Sequence, residues 1–426
     1  MNLPSLYPPS VITHESSHFP DLASQLRSLR AALTVVRQGS TIRAAQAMHL
    51  SQPAVARSVL QLEEACRLPL FIRGARGMMP TALGNQMAAR IETMLQHLGS
   101  GAAEAQAASA LTARRSSLPH RFAEVVPPGH LRALLAIAHC GSESQAAQKI
   151  GVTQPSIHAA LQGLEASLGL QLFYKLTFGT RLTPSGEALL RRVKLALAEI
   201  RDMESDISAW HGQIKGRVVV GVLPLSVGIF LPAAVDRLSS SHPDIEISIV
   251  DGTYESLMQG LMSADIDVIA GALRAQVPED EVQQLELFDD DLVVVAPSDH
   301  DSLQREHLTL EDLLQWQWVT PLPNTPADSA MVRLFRSHGL EPPRSNLRAS
   351  SPTMTLAFVL QTGRLALASR GQAMRDNHGG LLSILPVELP STRRGIGLAI
   401  RAQGTASQNL DLFIRACRQT MADLPA

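Results

Sequence analysis

The front half of this chain carries one stretch of sequence twice, and that constrains the fold more than anything else in it. "LSQPAVARSVLQLEEACRLPLF" at residues 50–71 is answered by "VTQPSIHAALQGLEASLGLQLF" at residues 152–173. With a constant shift of 102 and no gap, Leu29, Arg30 and Ala31 fall on Leu131, Arg132 and Ala133. Gly39 and Ser40 fall on Gly141 and Ser142, and Ala44, Ala45 and Gln46 on Ala146, Ala147 and Gln148. The match continues through Leu62 and Glu63 with Leu164 and Glu165, Leu70 and Phe71 with Leu172 and Phe173, and Thr81 and Gly84 with Thr183 and Gly186. A match this long, at one large spacing, describes a duplicated domain and not a short-period solenoid.

Each copy reads as a helix, a Gly-Ser turn, a short helix, a turn, a longer helix and then a Leu-Phe strand. Ala44–Ala45 and Ala146–Ala147 are small enough for two helices to cross closely, as a helix-turn-helix requires. Ser51 and Thr153 are good N-caps, each followed two residues on by a proline suited to a first helical turn. Val55, Val59 and Leu62 recur at helical spacing, as do Ile157, Leu161 and Leu164, so those stripes face a core. The opposite face presents Gln52, Pro53, Ala56 and Arg57 in copy one, and Gln154, Pro155, His158 and Ala159 in copy two. Such an end suits the major groove, where Gln pairs with adenine and Arg with guanine. Arg73 and Arg76, then Lys175 and Arg181, follow in wing positions, where they would meet phosphates. A plain solvated surface helix accounts for the same polar residues, and His158 is equally a base contact or a surface histidine.

Charge is divided along the chain. Residues 1–216 hold 21 Lys/Arg against 14 Asp/Glu, and the remainder 16 against 25, a basic front of +7 and an acidic back of −9. That asymmetry is expected where one half meets a polyanion. At 426 residues the chain suits roughly two to four domains of ~100–200 residues. Cys66, Cys140 and Cys417 have no metal-type spacing and read as small hydrophobes in a reducing cytosol. The proline-bearing N-terminus lacks a signal-peptide pattern. The uncharged run from Val218 to Val235 is broken by Pro224, Gly228 and Pro232 into strand, turn and helix, not a membrane span. A cytoplasmic protein without cofactor or metal is expected.

The duplicated stretch resembles the N-terminal signature of the LysR-type transcriptional regulators, a capped "SQPAVSR"-like helix running through "LE", "LG" and "LF" to a wing ending in "LT..G". Copy two supplies Thr153-Gln154-Pro155, Leu164-Glu165, Leu168-Gly169, Leu172-Phe173, Leu182-Thr183 and Gly186. Copy one supplies Ser51-Gln52-Pro53, Leu62-Glu63, Leu70-Phe71-Ile72-Arg73, Thr81 and Gly84. The family's Ser-Arg pair is Ala56-Arg57 in copy one and His158-Ala159 in copy two, and copy one has Cys66-Arg67 in place of Leu-Gly. The resemblance therefore leaves open whether one copy or both reads DNA.

After copy one, Met87, Ile91, Met94 and Leu98 form a helical stripe that is expected to stop near Gly99–Gly101. After copy two, Leu190, Val193, Leu197, Ile200 and Ile207 sit near coiled-coil spacing between about Pro184 and His211. The resemblance implies dimerisation through that second helix. Alternatively the first linker helix lies along the second within one chain, making a pseudo-dimer.

From Arg217 short apolar runs alternate with helix-length segments, the pattern of a doubly wound α/β sheet. This half resembles the effector-binding domain of the same family, a two-lobed fold like periplasmic ligand-binding proteins, with crossings near Phe288–Asp291 and Val387–Arg394. The expected fold is multidomain: two winged helix-turn-helix domains with linker helices, then a two-lobed α/β effector domain. The expected boundaries are a disordered lead (1–23), copy one (24–84), helix and linker (85–127), copy two (128–186), a dimerisation helix (187–215), lobe I (216–290 and 394–426) and lobe II (291–393). Ligands of such sheets bind beyond strand C-termini, near helix N-termini. Ser226, Thr253, Thr325 and Ser351 are the candidates there, though each is also an ordinary cap or turn residue. The hydroxyl-rich set suits a small anion such as a carboxylate. No catalytic motif emerges, so a regulator is expected over an enzyme or a transport receptor on the same fold. Its expected partners are double-stranded DNA, a small effector, RNA polymerase and further copies of itself as a homodimer or homotetramer.

Overall fold

A computed structural model describes residues 20–423 apart from 75–76, 110–118, 178, 226, 378, 391, 403 and 405. Most of the expected lead, residues 1–19, lies outside these. The chain divides into a helical unit up to about residue 216 and an α/β unit after it.

In the helical unit, copy one is built from α1 (Leu26–Gln38), α2 (Thr41–Ala47), α3 (Gln52–Cys66) and the hairpin β1 (Phe71–Gly74) and β2 (Gly77–Pro80), followed by α4 (Ala82–Ala107). A short helix α5 (Pro119–Val125) leads to copy two: α6 (Pro128–Cys140), α7 (Glu143–Ile150), α8 (Gln154–Leu168), β3 (Phe173–Leu176), β4 (Gly179–Leu182) and α9 (Pro184–Trp210). The expected stripes form the core: Val55, Val59 and Leu62, and Ile157, Leu161 and Leu164, are all buried, as are the two Ala-Ala pairs.

The repeated polar and turn residues have repeated work. Glu63 Oε1 accepts the backbone N–H groups of Leu70 (2.8 Å) and Phe71 (3.1 Å), and Glu165 does the same for Leu172 (2.8 Å) and Phe173 (3.2 Å). Thr81 and Thr183 cap α4 and α9 through the N–H groups of Gly84 and Gly186. Gly77 and Gly179 lie at φ +117° and +119°, and a Cβ on either would sit 2.5 Å from the carbonyl oxygen of Gly39 or Gly141. Each wing is thus pinned to the turn between its first two helices, with Met78 N–H and Thr180 N–H donating to those same carbonyls.

Two local expectations are corrected. Ser51 and Thr153 occupy the N-cap positions of α3 and α8 but make no side-chain capping bond; Ala54 and Ser156 N–H donate instead to the Ser51 and Thr153 carbonyls. Nor does α4 stop at Gly99–Gly101; it runs on to Ala107. Its extension lies against α9, where a Cβ at Gly101 would meet the Arg192 Cβ at 2.8 Å. Close helix packing there outweighs the ~1 kcal/mol helix penalty of glycine.

Helices α4 and α9 pack antiparallel within the one chain. Arg90 Nε donates to Asp206 Oδ2 at 2.5 Å, and Arg90 also faces Glu199 (3.3 Å) and Asp202 (3.7 Å). Further along, Glu104 receives Arg191 and Arg192, each at 2.7 Å. Arg90 and Arg192 are equivalent positions of the two copies, and so are Glu104 and Asp206. The two ion pairs are therefore one contact made twice, the signature of an isologous two-fold interface. Met87, Ile91, Met94 and Leu98 of α4 share a core with Val193, Leu197 and Ile200 of α9. The helix expected to join two chains is here covered by its own upstream twin.

The α/β unit contains β5 (Gly216–Val222), α10 (Leu231–Ser241), β6 (Ile245–Asp251), α11 (Tyr254–Met262), β7 (Val268–Ala272) and β8 (Val282–Asp290). It continues with β9 (Leu292–Pro297), β10 (Trp318–Val319), α12 (Pro326–Ser337), α13 (Pro352–Thr362), β11 (Leu365–Ser369), α14 (Arg370–Asp376), β12 (Leu382–Ile384), β13 (Arg394–Arg401) and α15 (Gln408–Asp423). One sheet has the order β6-β5-β7-β13-β8 and the other β10-β11-β9-β12. Both are mixed: β5 is parallel to β7 and β10 to β11, but β13 is antiparallel to β7 and β8, and β9 antiparallel to β11 and β12. The chain leaves the first sheet after Asp290 and returns at Arg394, so β13 enters from the opposite end. Arg394 meets buried Asp290 at 3.2 Å where these two crossings adjoin.

Candidate nucleic-acid interface

The N-terminal ends of α3 and α8 are the exposed ends of their copies. Gln52, Pro53 and Arg57 are exposed and Ala56 half-buried; Gln154 and Pro155 are exposed and His158 half-buried. Arg73 on β1, Lys175 on β3 and Arg181 on β4 are exposed on the wings. Arg76 lies outside the described residues. In copy one Arg43 joins the set, its guanidinium lying near Gly39 at the foot of the wing.

In copy two the side chains expected to face the groove are engaged with a residue that the sequence reading did not single out. Glu143, the first residue of α7, reaches across to α8. Gln154 Nε2 donates to Glu143 Oε2 at 2.9 Å, and His158 Nδ1 lies 3.1 Å from Glu143 Oε1. Burial pushes the Glu143 carboxyl up, but the hydrogen bonds from His158 and Gln154 and the nearby Lys175 outweigh it and hold the carboxyl below its ordinary value. The cluster edges an open hollow of about 350 Å³, completed by the Gly179–Thr180 part of the wing. Copy one has Thr41 at the equivalent position. Laying the copies side by side was the available signal.

The candidate effector residues fall at helix starts. Thr253 caps the Ser256 N–H at 3.2 Å after β6, Thr325 caps α12 through Asp328 N–H at 3.2 Å, and Ser351 caps α13 through Met354 N–H at 3.4 Å. Ser226 lies outside the described residues. Arg274, just past β7, was missed by the sequence reading. It stacks over the Tyr254 ring at 4.3 Å, while Gln284 bonds both its backbone N–H and carbonyl. Desolvation lowers the pKa of its guanidinium, and its buried Nε has no hydrogen-bond partner among the described residues. Cys66 and Cys417 are buried, their thiols pushed up by burial to about 11 and about 12, which disfavours the reactive thiolate. Among the described residues no cluster of metal-ligating side chains occurs, and no helix is long and apolar enough to cross a membrane.

Comparison with known proteins agrees with this division. The family of bacterial regulatory helix-turn-helix proteins of the lysR type matches twice, at residues 26–85 and 128–187, and the LysR substrate binding domain matches residues 211–422. The transcriptional regulator GalR of Pseudomonas putida is 29% identical over 404 residues, 93% of this chain and 98% of its own length. CbbR of Rhodospirillum rubrum is 29% identical over 270 residues, covering 62% of this chain and 88% of its own. Among solved structures, full-length OxyR of Pseudomonas aeruginosa superposes with a TM-score of 0.55 at 20% identity, over 68% of this chain and 94% of that one. The regulator CbnR in complex with its target DNA superposes at 0.51 and 20% identity, over 68% and 98%. The chain is a DNA-binding transcriptional regulator with an effector-binding domain, not an enzyme. With helix-turn-helix matches to both copies and a substrate-domain match to the back half, it belongs to the LysR-type transcriptional regulators.

Proposed function

We propose that this regulator carries its own pair of DNA-reading heads, a pseudo-dimer within one chain. The antiparallel α4–α9 pair, with its duplicated ion pairs, is the observation that supports it. In copy one Gln52 and Arg57 meet base edges, Pro53 and Ala56 give apolar contact, and Arg73 and Arg76 meet phosphates. Copy two offers Gln154, Pro155 and His158 on its helix and Lys175 and Arg181 on its wing. A small anionic effector, such as a carboxylate, binds between two lobes of the α/β unit at Ser226, Thr253, Thr325 and Ser351. Arg274 supplies the positive charge. The ligand shifts DNA binding by its differential affinity for two states of the protein, and RNA polymerase at the promoter responds. Further assembly into homodimers or homotetramers uses surfaces other than the α4–α9 seam.

Footprinting of the wild type, Arg57→Ala and His158→Ala on the native promoter across a salt series tests this. Arg57→Ala is expected to relax base preference at one position, costing about 1–3 kcal/mol there. If neither variant alters base preference, the assignment of the groove face is wrong. A wild type without salt-sensitive DNA affinity would refute the DNA-reading proposal altogether.

A further inference from the structure

We infer that Glu143 makes the two heads unequal: its carboxylate closes the groove face of copy two to the DNA backbone and leaves copy one as the head that grips. The inference rests on the DNA-reading proposal above and narrows it: both copies keep the head fold, and copy one carries the grip on the backbone.

In a helix-turn-helix the N-terminal end of the recognition helix and the wing both run close to phosphates, and helix N-termini attract anions. Glu143 is the first residue of α7, so its own carboxylate occupies the neighbourhood where a phosphate would gain from that helix end. It is also half-buried against α8, held there by Gln154 and His158. Those are the two polar side chains of copy two that would otherwise reach bases. Its charge further offsets Lys175, a wing cation of the same copy. Copy one has no carboxylate at this position. There the equivalent residue is Thr41, the helix carries Arg57 where copy two has Ala159, and Arg43 stands where copy two has Gln145. With Arg76 of the same wing, Arg43, Arg57 and Arg73 thus give copy one four arginines, against Lys175 and Arg181 offset by Glu143 in copy two. A carboxylate facing a phosphate is a like-charge contact, the usual device for rejecting a surface.

The test uses full-length protein and a mixed-sequence DNA duplex, because binding to such DNA is almost entirely the phosphate term. Glu143→Thr, Glu143→Gln, Thr41→Glu and Arg57→Ala are compared with wild type across a salt series, with a thermal melt to confirm folding. Both Glu143 variants are expected to bind about tenfold or more tightly at low salt. They should also steepen the log affinity against log salt slope by ~0.9 for each phosphate gained. Thr41→Glu should lose affinity and flatten the slope, whereas Arg57→Ala, a base contact, should leave the slope on mixed-sequence DNA little changed; should Thr41→Glu fail to fold, the Glu143 pair decides alone. Unchanged affinity and slope in both Glu143 variants would overturn the inference. So would weaker binding in both, which would make the carboxylate a base reader accepting from a cytosine amino group. Either failure, seen beside a salt-sensitive wild type, leaves the DNA-reading proposal standing.

Discussion

Replacing Arg90 by methionine is expected to damage the helical unit far more than removing its twin, Arg192. The two arginines make equivalent contacts in equivalent places, but their surroundings differ. Arg90 and Asp206 are each 3% exposed at the side chain, whereas Arg192 is 18% and Glu104 29% exposed. Burial weakens the charged form of Arg90, yet the Asp206 hydrogen bond and the charges of Asp202, Asp206 and Glu199 outweigh it and hold its pKa above the ordinary value. Arg90→Met strips two buried carboxylates of their guanidinium, a change that costs about 3–5 kcal/mol. At ~2–4 °C per kcal/mol for a unit of this size, the melting temperature should fall by roughly 6–20 °C. Arg192→Ala leaves Glu104 with Arg191 and water, so solvent screening holds its cost to about 1 kcal/mol and a few degrees.

Scanning calorimetry of the full chain, followed through the transition of the helical unit, makes the comparison. Two controls separate the ion pair from packing. Arg90→Met should be less damaging at pH 5 than at pH 8, because carboxylates without a guanidinium take up protons and neutralise. The double variant Arg90→Met with Asp206→Leu should recover most of the loss, since a buried ion pair exchanged for apolar side chains is often neutral. Because the pair is intrachain, the difference between Arg90→Met and wild type should be the same at every protein concentration. Equal effects of Arg90→Met and Arg192→Ala, or a difference from wild type that changes with concentration, would refute the reasoning.

Two other outcomes are expected. Gly179→Ala forces a Cβ onto the Gly141 carbonyl at a φ of +119°, so it should destabilise copy two by about 1–3 kcal/mol in a urea melt, with a surface alanine elsewhere on α7 as control. Acid should also loosen the helix pair. Burial raises the pKa of Glu104, but Arg192 and Arg191 outweigh this and hold it below its ordinary value. A carboxyl with a lowered folded-state pKa stabilises the fold above its unfolded value, and that stability is lost as pH falls through the folded one. The urea midpoint should therefore decline below about pH 5, more shallowly in Arg192→Ala; an equal slope in both would count against the pairing.

What the sequence revealed and what it hid have a common physical origin. Residues fixed by a backbone contact survive in both copies and can be read directly. Gly84 and Gly186 are of this kind, since a Cβ there would lie 2.2 and 2.3 Å from the carbonyls of Leu70 and Leu172. Pairings across long separations leave no local trace. Arg90 and Asp206 are 116 residues apart, and neither breaks the helical pattern of its own segment. Gly101 misled because it reads as a helix stop, yet it marks a close approach, as Gly397 does in β13. A Cβ at Gly397 would lie 2.1 Å from the Leu285 carbonyl, where the β13–β8 register shifts. Polar, bulged β8 and Gly-bearing β13 were accordingly missing from the sequence reading. Glu143 was hidden differently, because a single acidic residue after a Gly-Ser turn is unremarkable until its carboxylate is seen on the next helix.

Fusing two heads in one chain changes what substitution can do to them. In an isologous homodimer every substitution appears on both sides of the axis, so a carboxylate placed on the groove face would disable both heads together. Here the α4–α9 seam keeps the two-fold contact while its members are encoded separately. The seam has already drifted: on one side a buried arginine faces three carboxylates, and on the other a half-exposed carboxylate faces two arginines. The heads have drifted further, with Arg57 and Thr41 on one and Glu143 and His158 on the other. Core and turn residues are held alike in both copies because each still has to fold around the same backbone contacts. The residues proposed to face the groove carry no such constraint, and their divergence is the physical reason to treat the two heads as separate devices.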